Sequence, residues 1–234
     1  PLFLLAFVIL QGMFGMWTVT LKLWPQVVTA HLLGGFTTLC LLWLLTLRLN
    51  NAPWLVSGPE LQHLARFRRP AVIGLLVVIA QITLGGWTTS NYAAVACPDL
   101  PTCQARWLPP MDFASGFNVF QAVGPNYLGG TMDNEARVAI HMSHRVGGVV
   151  TLLVVGWLSL LLLRSGTGKV RTLGKVVGGL LLAQFALGLG NIAFNFPLYV
   201  TVTHNGVGAL LLASLVTLCY YLFTARAAPA AEAH

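Results

Sequence analysis

Long stretches of almost uninterrupted apolar residues dominate the chain, and short polar segments separate them. A run of about 20 apolar residues is the length that a helix needs to cross the hydrocarbon core of a bilayer. We therefore predict an all-α membrane protein with six transmembrane helices. The predicted spans are residues 2–21, 27–49, 71–91, 135–163, 174–194 and 200–225.

Composition and charge agree with this class. Of the 234 residues 56% are hydrophobic and only 8% are charged, which is too few charges for a soluble domain of this length. The net charge of +7 does not indicate nucleic-acid binding, because the membrane spans separate the basic residues. Nine of the 13 Lys and Arg residues lie on one side of the spans, and the positive-inside rule makes that side cytoplasmic. We therefore expect both chain termini in the cytoplasm and the loop 92–134 outside.

Two short patterns recur in the predicted spans. The pattern Gln-x-x-x-Gly-x-Trp-Thr begins at Gln11 and at Gln81, and a shorter copy without the tryptophan begins at Gln184. The partner spans carry a histidine followed by small residues, at His31, His144 and His204. The first and last pairs have the same spacing of 20 positions, so we interpret them as copies of one helical hairpin. The middle pair is a variant with a long outer loop.

The repeat predicts two tandem halves. If the third to sixth spans form a four-helix unit, the first two spans are the second hairpin of another such unit. On this interpretation the whole protein has eight helices, and the present sequence lacks the first hairpin. The predicted domains are the partial N-terminal half (1–49), a cytoplasmic linker (50–70), a four-helix bundle (71–225) and a disordered tail (226–234).

Ionisable residues interrupt the fourth apolar run and mark a candidate site. His141, His144 and Arg145 are followed at once by Gly147 and Gly148. The two histidines share one helix face, and the glycines leave a bare patch beside it. Ionisable groups within a span usually face the bundle interior, and a histidine beside bare helix suits a porphyrin iron. Arg145 is predicted to bind a haem propionate, with water or backbone carbonyls as the alternative.

Three histidines lie at matched depth in the outer halves of their spans. We predict that His144 and His204 bind one haem iron from opposite faces, with Gly208 as a small residue beside the ring. His31 occupies the corresponding position in the first hairpin. The alternative for any single histidine is a hydrogen bond to a neighbouring helix, and we expect His141 to take that alternative.

Two cysteines lie close together in the predicted outer loop. Cys97 and Cys103 flank a segment with two prolines, and topology places them in an oxidising compartment. We therefore predict a disulfide between them, with two free thiols as the alternative. The loop offers too few ligands for a zinc site.

At these motifs the chain resembles the haem A synthase family. The similar segments are Gln-Ile-Thr-Leu-Gly-Gly-Trp-Thr, Ala-Cys-Pro-Asp-Leu-Pro-Thr-Cys, the His144–Arg145 pair, His204 and Ala-His-Leu-Leu-Gly-Gly. They cover nearly the whole chain except the tail. The resemblance implies a bacterial inner-membrane enzyme that oxidises the C8 methyl group of haem O to a formyl group. The product, haem A, serves haem-copper oxidase assembly.

The resemblance also implies roles for individual residues. His144 and His204 would hold haem b, and His31 would be the catalytic-side ligand of the substrate haem O. The second substrate ligand belongs to a Glu-x-x-His-Arg motif that this sequence lacks, so we expect only part of the substrate site. Membrane lipid, haem O and haem O synthase are the implied partners, the electron donor is not indicated, and homo-oligomer formation is left open.

A second interpretation is a b-type di-haem membrane electron carrier linked to quinone. Paired histidines in six or eight helices suit this carrier equally well. The cysteine loop favours the synthase, because a pure carrier has no evident need for it. A transporter or assembly partner without a cofactor is a third interpretation.

Overall fold

The computed structural model describes residues 2–50 and 54–228, and it confirms an all-α membrane protein. Six helices in this described part are long and apolar enough to cross a bilayer, and they match the six predicted spans. The helices are α1 (Leu2–Thr20), α2 (Pro25–Asn50), α3 (Gly58–Ser90), the four-residue α4 (Phe113–Gly116), α5 (Asn134–Ser165), α6 (Gly168–Ala193) and α7 (Leu198–Thr224). The chain is thus a multi-pass membrane protein.

Helix α3 begins well before the predicted third span, because a strong start signal precedes it. The side chain of Ser57 accepts a hydrogen bond from the backbone N–H of Glu60, and Pro59 lies in the first turn. Serine, proline and glutamate at these positions are typical of a helix start. Most of the predicted linker, from residue 58 to residue 70, is therefore helical, and residues 51–53 lie outside the described chain.

Two short strands join the segment before α3 to the segment after α7. Strand β1 (Leu55–Val56) pairs in parallel with β2 (Arg226–Ala227). Backbone hydrogen bonds of 3.0 and 2.8 Å connect these segments. The first residues of the predicted disordered tail, 226–234, are therefore ordered, because strand pairing satisfies their backbone groups. Residues 229–234 lie outside the described chain.

Helices α3, α5, α6 and α7 pack as a four-helix bundle, and α1 and α2 form a hairpin beside it. Helix α5 packs against α3 and α6, and α7 packs against the same two helices. Helices α5 and α7 therefore lie on a diagonal of the bundle. Helix α2 contacts α3 and α7, and the indole N–H of Trp43 on α2 donates to the Thr217 hydroxyl on α7 (2.7 Å).

The closest packing lies in the half of the bundle that is remote from the α3–α5 connection. All four helices contribute buried apolar side chains there, namely Leu64, Phe67, Ala71, Val155, Leu158, Leu162, Val170, Val177, Leu215, Leu218 and Leu222. Helices in lipid are held together mainly by such van der Waals contacts, since lipid tails are as apolar as leucine. This half of the bundle therefore carries the structural core.

The bundle is more open on the side of the histidines. Four segments, all within the described chain, contain no buried residue, and we call them the open band. They are residues 79–85 of α3, 142–150 of α5, 182–190 of α6 and 201–207 of α7. Buried residues follow again beyond the band in α3 and α6 and precede it in α5 and α7. The band therefore interrupts the packed interior at one level of the bundle.

Candidate functional site

Each of the three predicted histidines lies with its ring edge against a glycine of the neighbouring helix. The pairs are His31 with Gly15, His144 with Gly85 and His204 with Gly188. A Cβ atom on these glycines would stand 3.1, 3.2 and 3.3 Å, respectively, from the Cε1 atom of the ring. These distances are shorter than an ordinary contact between carbon atoms. The glycine of the repeated pattern therefore fixes where the imidazole can lie.

The glutamine of the same pattern lies against a second glycine, about one helical turn beyond the histidine. The pairs are Gln11 with Gly34, Gln81 with Gly147 and Gln184 with Gly208. A Cβ atom on Gly34 or Gly147 would overlap the glutamine amide, and one on Gly208 would stand 3.2 Å from its Nε2. Each hairpin is thus joined by two reciprocal contacts, which we call the Gln–His interlock.

Three glycines of the predicted porphyrin patch lie beside the interlock glutamines. The sequence predicts that Gly147, Gly148 and Gly208 leave a bare patch for a porphyrin, and this role stays a prediction. A Cβ atom added to each of them would point towards Gln81 or Gln184 on the neighbouring helix. Because the antiparallel helices approach closely at this level, the bare patch accommodates glutamine side chains. A Cβ atom on Gly148 would lie at an ordinary 3.6 Å from Nε2 of Gln81.

The glutamine amides also form hydrogen bonds with the histidines. Nε2 of Gln81 donates to the backbone carbonyl of His144 (2.9 Å) and lies 3.1 Å from Nδ1 of the same residue. Nε2 of Gln184 lies 3.2 Å from Nε2 of His204. The sequence places both glutamines in the repeat but does not by itself assign them a role. One feature of the sequence could have indicated this contact. The glutamine and glycine of one helix are about one turn apart, as are the histidine and glycine of the partner helix.

His144 and His204 extend from diagonal helices at the level of the open band. Both are half-buried. Within the described part of the chain, Nδ1 of His204 and Nδ1 of His31 are buried and have no hydrogen-bond partner. Among the described residues no group of three or more His, Cys, Asp or Glu side chains could hold a metal ion.

His141 lies one turn before His144 on α5 and contacts the connection between α3 and α5. Only 3% of its surface is exposed, and its Nδ1 donates a hydrogen bond to the carbonyl oxygen of Ala93 (3.1 Å). Ala93 begins a short 3-10 turn directly after α3. His141 therefore fastens the start of the long connection to α5.

Arg145 binds the cysteine loop. Its Nη1 donates to the carbonyl oxygen of Thr102 (2.7 Å), and its Nη2 donates to those of Cys97 and Asp99 (2.8 Å each). The predicted alternative of backbone carbonyls is thus the contact that the guanidinium makes. The sequence could not reveal this contact, because it joins residues more than 40 positions apart. Among the residues that the structure describes, Nε of Arg145 is buried and has no hydrogen-bond partner.

The cysteine loop is a compact structure. Cys97 and Cys103 form the predicted disulfide, with an S–S distance of 1.96 Å. The Asp99 carboxylate accepts hydrogen bonds from the Thr102 hydroxyl and from backbone N–H groups, including that of Gln104 (2.6 Å). The Thr102 hydrogen bond holds the pKa of the Asp99 carboxyl below its usual range. The loop is therefore closed by a covalent bond, a carboxylate and the guanidinium beside His144.

Comparison with known proteins places these features in a family. Residues 1–216 match a family model described as cytochrome oxidase assembly protein, COX15-CtaA. A haem A synthase of Shewanella oneidensis is 43% identical over 95% of this chain and 66% of its own length. A haem A synthase of Beijerinckia indica is 28% identical over 91% of this chain and 58% of its own length. One of Methylobacterium radiotolerans is 30% identical over 68% and 42%. The chain thus spans less than two thirds of the length of these curated relatives.

Proposed function

Because the chain belongs to the COX15-CtaA family of cytochrome oxidase assembly proteins, we propose that it acts in haem A synthesis. The proposed reaction is the oxidation of the C8 methyl group of haem O to a formyl group. The relatives are named haem A synthases, and this favours an oxidoreductase over the di-haem electron carrier. The observation that carries the proposal is the Gln–His interlock, which holds an imidazole against a glycine of the neighbouring helix in three hairpins.

The first part of the proposal is a haem b held by His144 and His204. Three features of the structure fit this group. The histidines extend from diagonal helices, the open band interrupts the packed interior between them, and Nδ1 of His204 is buried without a partner. A neutral imidazole is also the usual haem ligand in proteins. The donor set and the space therefore suit a bis-imidazole haem.

When bound in this way, haem b supplies one-electron transfer, since two imidazoles leave no open coordination position. The protein residues position the two histidines and the loop beside them. Gly85 and Gly188 fix the positions of the imidazole rings of His144 and His204. Arg145 binds the cysteine loop to the helix that carries His144. Nε of Arg145 remains available as a donor to an anionic group such as a propionate. The disulfide keeps the loop compact beside this site.

The second part concerns the substrate. His31 lies against Gly15 in the α1–α2 hairpin, in the same relation as the other two histidines. We assign it to the substrate haem O, with its buried, unpaired Nδ1 in support. The proposed domains are this hairpin as part of an N-terminal substrate half and the α3–α7 bundle as the haem b half. Haem O synthase is the proposed supplier of the substrate.

The third part is the orientation in the bacterial inner membrane. Basic residues cluster at the end of the bundle that carries β1 and β2, so we place that end in the cytoplasm. The cysteine loop then faces the periplasm, where a disulfide is stable. Cysteine labelling from each side of the membrane checks this placement. Labelling of a cysteine introduced at exposed Phe120 from the cytoplasmic side would contradict it.

Pigment extraction tests the function. The full-length protein is purified from cells that also make haem O, and its haems are separated by chromatography. The proposal predicts haem b together with haem A or a hydroxylated intermediate between haem O and haem A. Haem b alone would favour the electron carrier. A preparation without haem from haem-replete cells would contradict both functions.

A further inference from the structure

The three interlock glutamines share an unexplained feature. The amide oxygens of Gln11, Gln81 and Gln184 are all buried, and none has a hydrogen-bond partner in the described structure. A buried acceptor without a partner is costly, because it has lost its water and gained nothing in return. An apolar side chain of similar length would fill the same space without this cost. The amide oxygens of Gln26 and Gln121 are also buried without a partner in the described structure, so the distinguishing feature of Gln81 and Gln184 is that their amides lie beside a histidine ring.

Imidazole chemistry supplies a donor for the amide oxygen. A neutral imidazole carries one proton, and the nitrogen that binds a metal must be the unprotonated one. The opposite nitrogen then carries the N–H, and metal-bound histidines almost always donate it to an oxygen acceptor. Such an acceptor fixes the tautomer and the orientation of the ring. It also makes the histidine a stronger ligand.

The geometry at His144 places a candidate acceptor at the correct atom. Nε2 of Gln81 lies 3.1 Å from Nδ1 of His144, which leaves the other ring nitrogen for a metal. An amide has an oxygen and an NH2 group of similar shape, so a half-turn of its last bond exchanges them. The His144 carbonyl oxygen, which now accepts from this NH2 group (2.9 Å), is itself an acceptor, so the Gln81 amide must also shift away from it as it turns.

We propose that Gln81 is a positioning residue. Its amide oxygen accepts a hydrogen bond from the Nδ1–H group of His144 when Nε2 of His144 binds haem iron. The inference rests on the proposed haem b site. The ring keeps a single proton, on Nδ1 instead of Nε2, so its charge does not change. Gly147 makes the arrangement feasible, because its missing side chain leaves the space that the amide occupies.

Two substitutions with opposite chemistry test the proposal. Gln81→Glu provides only acceptor oxygens, so the imidazole becomes a stronger donor, ferric haem is stabilised and the midpoint potential falls. Gln81→Met keeps the length of the side chain but removes the acceptor, so the potential rises. Both variants shift the low-spin electron paramagnetic resonance signal of the haem. Gln26→Met is the matched control, because Gln26 donates to the carbonyl of Val119 in the outer loop (2.9 Å).

The proposal is overturned if both Gln81 variants keep the wild-type potential and signal, or if their potentials shift in the same direction. Loss of haem from both variants in folded protein would also overturn it, since the residue would then be only structural. Loss from Gln81→Met alone, with a lowered potential in Gln81→Glu, supports it. Failure of the proposed haem b site is distinguishable, because the wild type and Gln26→Met would then show no bis-imidazole signal.

Discussion

The hairpins α3–α5 and α6–α7 hold their histidines with the same device but connect their helices in very different ways. The first is joined by residues 91–133, with a disulfide and a short helix, and the second by residues 194–197. A four-residue turn is thus sufficient to bring a histidine against its glycine. The long connection is not needed to position His144. Its contacts with His141 and Arg145 indicate a second role, which is to cover the end of the bundle.

The two hairpins also differ in how the glutamine meets the ring. Gln81 lies at Nδ1 of His144, whereas Gln184 lies at Nε2 of His204 and leaves Nδ1 buried without a partner. The same sequence pattern therefore produces two hydrogen-bond environments. Two imidazoles in different environments are not equivalent ligands. Substitutions in one hairpin should accordingly have effects that the matching change in the other does not.

The largest expected effect comes from removing a ligand. His144→Ala and His204→Ala should each abolish the wild-type Soret band of haem b, because the iron would lose one of its two imidazole ligands. His31→Ala should retain it, since His31 belongs to the other hairpin. Absorption spectra of the purified variants, normalised to protein, measure this. Retention of the wild-type Soret band in His144→Ala or in His204→Ala would contradict the assignment of these two histidines as haem ligands.

Loss of the guanidinium should release the cysteine loop. Arg145→Leu leaves three loop carbonyls without a charged donor, and we expect the loop to open more easily by about 2–4 kcal/mol. Hydrogen exchange of residues 97–105 reports this opening. Arg106→Leu is the control in the same loop, because Arg106 is an exposed residue whose hydrogen bonds with Cys103 use backbone atoms. Equal exchange in the two variants would show that Arg145 does not hold the loop.

A smaller effect is expected when the stabilities of alanine variants at Gly147 and Gly148 are compared. A Cβ atom on Gly147 overlaps the end of the Gln81 side chain, so Gly147→Ala should displace that amide at a cost of about 1 kcal/mol. Gly148→Ala meets only ordinary contacts, and alanine favours helix, so this variant should be neutral or more stable by up to about 1 kcal/mol. Thermal unfolding followed at the Soret band compares them. Lower stability of Gly148→Ala than of Gly147→Ala would contradict the interlock.

The smallest expected effect is the loss of loop stability when Asp99 is protonated at low pH. The pKa of Asp99 is lowered by its hydrogen bond from Thr102, so the carboxylate stabilises the loop above its unfolded pKa of about 3.9. This contribution is lost as the pH falls through the lower, folded value. NMR signals of the Gln104 and Ala105 amides, which donate to Asp99, should titrate with a midpoint below that of an unfolded aspartate. A midpoint at or above about 3.9 would contradict the hydrogen-bond arrangement.

The sequence was sufficient to predict the fold class, the six spans and the disulfide, because apolar length and cysteine spacing are local signals. It also identified the repeated glutamine, glycine and histidine positions. It could not reveal that Gly147 faces Gln81, since that depends on how closely two antiparallel helices approach. The target of Arg145 was equally hidden, because its three acceptors are backbone atoms, which carry no signature in the sequence.

Electron paramagnetic resonance of the oxidised, haem-loaded wild-type chain tests the central claim most directly. Two imidazoles on one iron give a low-spin ferric signal, and we predict that this signal accounts for the bound haem b. Loss of this low-spin signal in both His144→Ala and His204→Ala would agree with the assignment. A high-spin, five-coordinate haem in the wild type would contradict the claim that these two histidines, one from each hairpin, bind a single haem iron.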